Sequence, residues 1–129
     1  MRREDGGRLA ERGSAAVEFA LTLPIALLVL IAILRVGLLA RDRIVLAEAA
    51  RAGAREAAVS ADEEVVRAAV MEAASTLEAA LLVTVERTGG LGEPVRVTLV
   101  YEVPLLTGVS ILPASVRLTA SAIMRQEFG

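Results

Sequence analysis

The sequence contains no cysteine and no histidine. Without cysteine there is no disulfide framework and no thiolate chemistry, and without histidine the commonest metal ligand and general base is missing. The carboxylates elsewhere, including the run Asp62, Glu63 and Glu64, are typical of the first turn of a solvated helix. The sequence therefore predicts a protein that is not an enzyme, with no catalytic residue, no metal site, no cofactor and no small-molecule substrate.

Aromatic residues and charge of one sign are also scarce. The chain has two Phe, one Tyr and no Trp, so it lacks aromatic platforms on which nucleic-acid bases stack. Its basic residues, all arginine, number 14 against 16 acidic residues, and the net charge is −2. Such a balance indicates no nucleic-acid partner.

What the sequence does contain is a long apolar run near its start. Sixteen residues from Phe19 to Leu34 carry no charge, and the run reaches Ala40 if Arg35 extends its side chain toward the membrane surface. These 22 residues would span about 33 Å as a helix, enough for the roughly 30 Å hydrocarbon core of a bilayer. A cleaved secretory signal is the alternative, but the uncharged core is longer than usual and continues into a charged helical pattern.

One carboxylate, Glu18, stands at the start of this run and needs a partner in or near the membrane. The residues around it read G-S-A-A-V-E-F from Gly13 to Phe19. A plain structural interpretation is available, in which Gly13 is a turn, Ser14 caps a helix and Glu18 is favoured by the helix dipole. The position of the string, after a short polar leader and directly before a membrane-spanning run, favours a second interpretation.

The string resembles the processing site of Flp-type prepilins and TadE-like pseudopilins of the tight-adherence (Tad) pilus system. The resemblance implies that a prepilin peptidase cuts between Gly13 and Ser14, that Glu18 becomes the fifth residue of the mature chain, and that Phe19 replaces a commoner Tyr. The alanine-rich stretch AEAARAGAREAA, residues 47–58, is similar to the segment after the membrane helix in TadE-like proteins.

Cleavage would give Glu18 its missing partner. The new α-amino group of Ser14 would be largely cationic at neutral pH. Residues 14 and 18 are one helical turn apart, so this ammonium can meet the carboxylate of its own Glu18 or of a neighbouring subunit. Since removal of one member of a desolvated ion pair is strongly destabilising, the pair is expected to check the register of subunits during assembly.

The resemblance also implies a domain organisation and a set of partners. Residues 1–13 would be a cytoplasmic leader, 14–40 a transmembrane helix, 41–59 its extension and 60–129 a small extracytoplasmic α+β domain. The expected partners are prepilin peptidase, other pilin or pseudopilin subunits, the Tad inner-membrane machinery and the lipid bilayer. The expected location is the cell membrane, crossed once, or an extracellular pilus. An unprocessed membrane-anchored envelope scaffold remains the alternative function.

The residues after the apolar run predict two helical segments. The first continues the membrane helix from Ile44 to Val59 and carries a face of small residues, Ala50, Gly53, Ala54 and Ala57, which would permit close approach by another helix. Alanine as a mere helix former is the other explanation of this face. Ser60 and Glu63 match a capping box, which predicts a second, amphipathic helix over about 61–81.

Alternation of apolar and polar residues predicts three strands after these helices. The segment LLVTVERT is the first, and a turn with Gly89, Gly90 and Gly92 leads to the second, over 95–103. The third covers 116–125. A long N-terminal transmembrane helix, a second amphipathic helix and a small three-stranded antiparallel sheet make an α+β fold, which resembles that of pilin-like subunits. The apolar connection 103–114 is expected either to cover the core or to contact another subunit.

Overall fold

The computed structural model describes residues 5–104 and 115–128. In chain order it contains α1 (Asp5–Val59), α2 (Glu63–Ala73), β1 (Leu81–Arg87), β2 (Pro94–Pro104) and β3 (Ser115–Arg125). One long apolar helix, one short helix and a three-stranded antiparallel sheet confirm the predicted α+β class. The chain divides into two compact units after Gly37.

The first unit contains the N-terminal part of α1 as far as Gly37. Its large apolar side chains between Val17 and Val36 are exposed, as expected of a helix whose natural surroundings are lipid. Pro24 lies inside the helix, where membrane helices tolerate proline because neighbouring polar groups satisfy the freed carbonyl. By length and composition, α1 is able to cross a membrane once.

The second unit begins at Leu38 and holds the hydrophobic core. The extension of α1 supplies much of that core with small side chains, because Ala50, Ala54 and Ala57 are fully buried. Gly53 lies among them, and a methyl group there would overlap Val70 of α2 and come within 3.2 Å of Val97 Cγ1 in β2. The small-residue face therefore permits the close approach of another helix, as predicted, and that helix is α2 of the same chain.

The start of α2 differs from the predicted capping box. Asp62, not Ser60, is the N-cap, since its carboxylate accepts a hydrogen bond of 2.9 Å from the backbone N–H of Glu64. The hydroxyl of Ser60 instead accepts from the N–H of Asp62 at 3.2 Å. An aspartate in extended conformation two residues further on satisfies the helix start equally well, so the helix begins at Glu63.

The end of α2 was predicted too late. The helix ends at Ala73. After it, backbone hydrogen bonds join residues three apart rather than four: the N–H of Ser75 donates to the carbonyl of Glu72, and the N–H of Leu77 donates to the carbonyl of Ala74. Ser75 and Thr76 have low helix propensity, which favours the break. The apolar spacing continued past it because Leu77 packs against the core from the turn.

The sheet has the order β1-β2-β3 and an unbroken antiparallel register. Val97 of β2, for example, lies between Val85 of β1 and Ala122 of β3. The predicted inward residues of β2 are confirmed: Val95, Val97, Leu99 and Tyr101 are buried and Val103 is partly buried. Those of β3 are only partly buried: Val116, Leu118, Ala120, Ala122 and Met124. The predicted connection 103–114 lies outside the described residues beyond Pro104.

The residues after β3 tie the sheet to the end of α1. The N–H of Glu127 donates to the carbonyl of Ala58 at 2.8 Å, and the N–H of Gly92 donates to the carbonyl of Gln126 at 2.9 Å. Gly92 has a φ of 82°, which favours glycine and completes the predicted turn between β1 and β2. The carbonyl of Ala58, in the last turn of α1, therefore has a partner in the folded domain.

Candidate functional site

The predicted processing site lies within α1. Helical backbone runs through Gly13 and Ser14 without interruption, so Ser14 does not cap a helix in this structure. Gly13 has no atom within 4 Å of the position that a Cβ would occupy, apart from its own helix backbone. Both residues are exposed. The site is therefore accessible, and its peptide bond is held in a helix.

Glu18 and Phe19 follow one turn later on the same helix. Four residues along a helix correspond to about 6 Å of rise, which places the residue 14 backbone and the Glu18 side chain as neighbours along the helix. Phe19 is 67% exposed. Among residues 13–103 and 115–128, whose side chains the structure describes, none forms an ion pair or side-chain hydrogen bond with the Glu18 carboxylate. The structure thus brings the predicted residues together and leaves the carboxylate available to a partner.

The backbone around Glu18 carries one further polar contact. The hydroxyl of Thr22 donates a hydrogen bond of 2.8 Å to the carbonyl of Glu18. Such a bond satisfies the threonine donor inside an apolar helix and adds a second donor to a carbonyl at the start of the membrane run. Sequence spacing alone, with Thr22 four residues after Glu18, could have indicated this contact.

A second group of polar contacts lies where α1 ends. The guanidinium of Arg87 donates 3.1 Å to the carbonyl of Ser60 and lies 3.6 Å from the Glu63 carboxylate. A cation beside the C-terminus of a helix is favoured by the helix dipole. This role of Arg87 was not predicted from the sequence, because the contact joins residues 27 positions apart. Within the described ranges, no group of three or more Asp or Glu is arranged to hold a metal ion.

Comparison with known protein families bears on the N-terminal site directly. A family model described as TadE-like protein matches residues 13–55, about a third of the chain. Residues 13–55 are TadE-like. The match shows that this segment is similar to TadE-like proteins, and it confirms the resemblance drawn from Gly13–Phe19 and covers most of residues 47–58. Searches of curated proteins and of solved structures found no match.

The TadE-like segment combines three features described above. It begins at the glycine of the predicted cleavage site, includes the apolar part of α1, and ends within the small-residue face that packs against α2 and β2. Its long apolar helix fits a single-pass membrane anchor. The segment therefore contains both the apolar helix and the small-residue face that packs within the second unit.

Proposed function

We propose that this TadE-like protein is a minor pilin or pseudopilin that prepilin peptidase processes after Gly13 and that acts in the assembly or structure of a Flp/Tad-type pilus. The family match that begins at Gly13, at the head of an apolar helix, is the observation that carries the proposal. The proposed role is structural, without catalysis, a cofactor or a small-molecule substrate.

Processing would hydrolyse the peptide bond between Gly13 and Ser14. A protease needs an extended backbone, so α1 must open locally before it is cut. Glycine is the easiest place for this opening, since it disfavours the helix by about 1 kcal/mol relative to alanine. Gly13 also has no packing neighbour within 4 Å, so opening there breaks no contact with it. These features support Gly13 as the residue that enters the peptidase.

The product would carry an ammonium group at Ser14, one turn from Glu18. Removal of one member of a desolvated ion pair costs about 3 to 5 kcal/mol, because the remaining charge is left without compensation. A carboxylate inside the membrane that lacks a described partner is suited to capture such an ammonium, on its own chain or on a neighbour. The pair would then admit only subunits that have been cut and correctly placed.

The remaining assignments rest on the similarity of residues 13–55 to TadE-like proteins. The leader would lie in the cytoplasm, where the peptidase and the Tad inner-membrane machinery act on the chain. The residues after about Arg41 would lie outside the membrane, available to other pilin or pseudopilin subunits. In this arrangement α1 holds the subunit in the bilayer until it enters a filament or serves at its base or tip.

Replacement of Glu18 tests the pairing step. In Glu18→Val we expect processing and membrane insertion to continue and incorporation into pili to fail, because the carboxylate is lost while residues at the cut remain. Thr22→Val is a matched control, since it changes a polar residue one turn away and retains the carboxylate. The measurement is the amount of subunit in sheared pili against the amount in membranes, by quantitative immunoblot.

Normal incorporation of Glu18→Val into pili would contradict the pairing step. Failure of both Glu18→Val and Thr22→Val would assign the effect to the helix surface in general rather than to the charge. An N-terminus that stays intact in the native host would support the alternative, an unprocessed envelope scaffold.

A further inference from the structure

Two exposed arginines, Arg41 and Arg43, follow the apolar run of α1, which ends at Ala40. Neighbours on a helix surface are three or four positions apart, and neither arginine has a charged residue at that spacing. The residues there are uncharged: Gly37, Leu38, Ile44 and Val45 for Arg41, and Leu39, Ala40, Leu46 and Ala47 for Arg43. Both guanidiniums are therefore set among uncharged neighbours on α1.

Neither arginine has an acidic partner in the part of the chain that the structure describes. Side chains are described for residues 13–103 and 115–128, and the two ion pairs among them involve other arginines. The acid between them in sequence, Asp42, is half-buried and lies one turn before the fully buried Leu46, on the side of α1 that faces the core. The charge of the two arginines is therefore available to another partner.

The end of the apolar run places both guanidiniums near the lipid phosphates. The polar headgroup layers add roughly 5 to 7 Å on each side of the hydrocarbon core of a bilayer. Helical rise puts Arg41 about 1.5 Å and Arg43 about 4.5 Å beyond Ala40, which is within such a layer. The aliphatic part of an arginine side chain packs on apolar surface while its guanidinium extends to the polar layer. A guanidinium donates two parallel hydrogen bonds to a phosphate, so the chemistry of the two groups matches.

Under the proposed function, the two arginines lie on the side of the membrane that arginine usually avoids. Residues after about Arg41 would be outside, whereas arginines beside a membrane helix are usually retained in the cytoplasm. Two arginines that cross the membrane against this preference need a favourable interaction on the far side. Anionic headgroups provide one, since they attract each nearby arginine roughly fivefold in affinity.

We propose that Arg41 and Arg43 bind the phosphates of anionic phospholipids. Residues two positions apart are turned by about 200° on a helix, so the two guanidiniums point to different sides of α1 and each binds its own lipid. The bound lipids would fix the depth of α1 in the bilayer. The inference goes beyond the proposed function and rests on it only for the side of the membrane on which these residues lie.

Spin-labelled lipids test this binding. The purified, unprocessed full-length chain is incorporated into phosphatidylcholine vesicles that contain a minority of phosphatidylglycerol. Electron paramagnetic resonance then measures the fraction of each labelled lipid that the protein immobilises. We expect a preference for phosphatidylglycerol, and the double variant Arg41→Gln with Arg43→Gln should lower it roughly fivefold.

Two further double variants are the controls. Arg51→Gln with Arg55→Gln makes the same change of charge at exposed positions further along α1, and it should retain the preference. Arg41→Lys with Arg43→Lys keeps the charge and should retain most of the preference. An equal fall in both glutamine variants, or an unchanged protein without a preference for phosphatidylglycerol, would overturn the proposal.

Added salts and the native host separate lipid from other partners. Sodium phosphate should lower the preference no more than sodium chloride of equal ionic strength, and a larger effect would indicate a site for free phosphate instead. Absence of lipid preference, with loss of Arg41→Gln and Arg43→Gln chains from pili, would assign the arginines to an acidic protein surface and overturn the proposal. Lipid preference with an uncut chain in the host would contradict the proposed function alone, and cutting without lipid preference this inference alone.

Discussion

Single side chains determine how closely the layers of the second unit approach. At Gly53 the backbone of α1 comes so near to α2 that an added methyl would overlap Val70 and crowd Val97. The neighbouring Ala50, Ala54 and Ala57 are fully buried, so small buried side chains line this face over about two turns. At Gly13, in the predicted processing site, an added methyl would meet no atom within 4 Å outside its own helix backbone. The two glycines therefore have opposite roles, one in packing and one in backbone freedom.

Gly53→Ala tests the packing role. Overpacking of a tight core typically costs about 1 to 3 kcal/mol, while alanine regains about 1 kcal/mol in helix propensity, so we expect a net loss of roughly 1 kcal/mol in the free energy of unfolding. The measurement is denaturant unfolding of the full chain in detergent, followed by circular dichroism.

The double variant Gly53→Ala with Val70→Ala is the control for this prediction. The second change removes the overlapping methyl group, so the two effects should be less than additive. A Gly53→Ala chain that is more stable than the unchanged protein would show that α2 moves away at little cost.

Among the elements, α2 shows what local patterns can and cannot specify. Its apolar spacing correctly predicted a helix. The capping motif indicated Ser60 as the N-cap, whereas the N-cap is Asp62. The apolar spacing also continued to Leu77, beyond the end of the helix at Ala73. Both errors have one cause. A pattern of apolar residues records which side chains face the core, whereas the helix ends depend on backbone hydrogen bonds that several nearby residues can satisfy.

The cap yields a prediction that separates the two candidates. Asp62→Ala should destabilise the folded domain by about 1 kcal/mol, since the N–H of Glu64 loses its acceptor. Ser60→Ala should cost less, because its hydroxyl accepts only from the N–H of Asp62 at 3.2 Å. Thermal unfolding of both variants in detergent measures the order, and a larger loss for Ser60→Ala would contradict the assignment of the cap.

For the whole molecule, the sequence predicted the three strands closely because alternation of apolar and polar residues is a strong signal for a strand. Buried positions of β2 agree with it from Val95 to Tyr101. The position of the core was harder to predict. The small-residue face of α1 predicted close helix packing without identifying a partner, and only tertiary contact shows that α2 and β2 of the same chain fill that place. Contacts such as Arg87 with Ser60 leave no local trace in the sequence.

The N-terminal site was predictable for a different reason. Gly13, Ser14, Glu18 and Phe19 are close in sequence, so a helix alone fixes their spacing, and the TadE-like match covers all four. The mature N-terminus is therefore the most direct test of the account. Intact mass of the protein purified from membranes of its native host should show a chain that begins at Ser14, whereas a chain that retains residues 1–13 would contradict processing and favour an anchored scaffold.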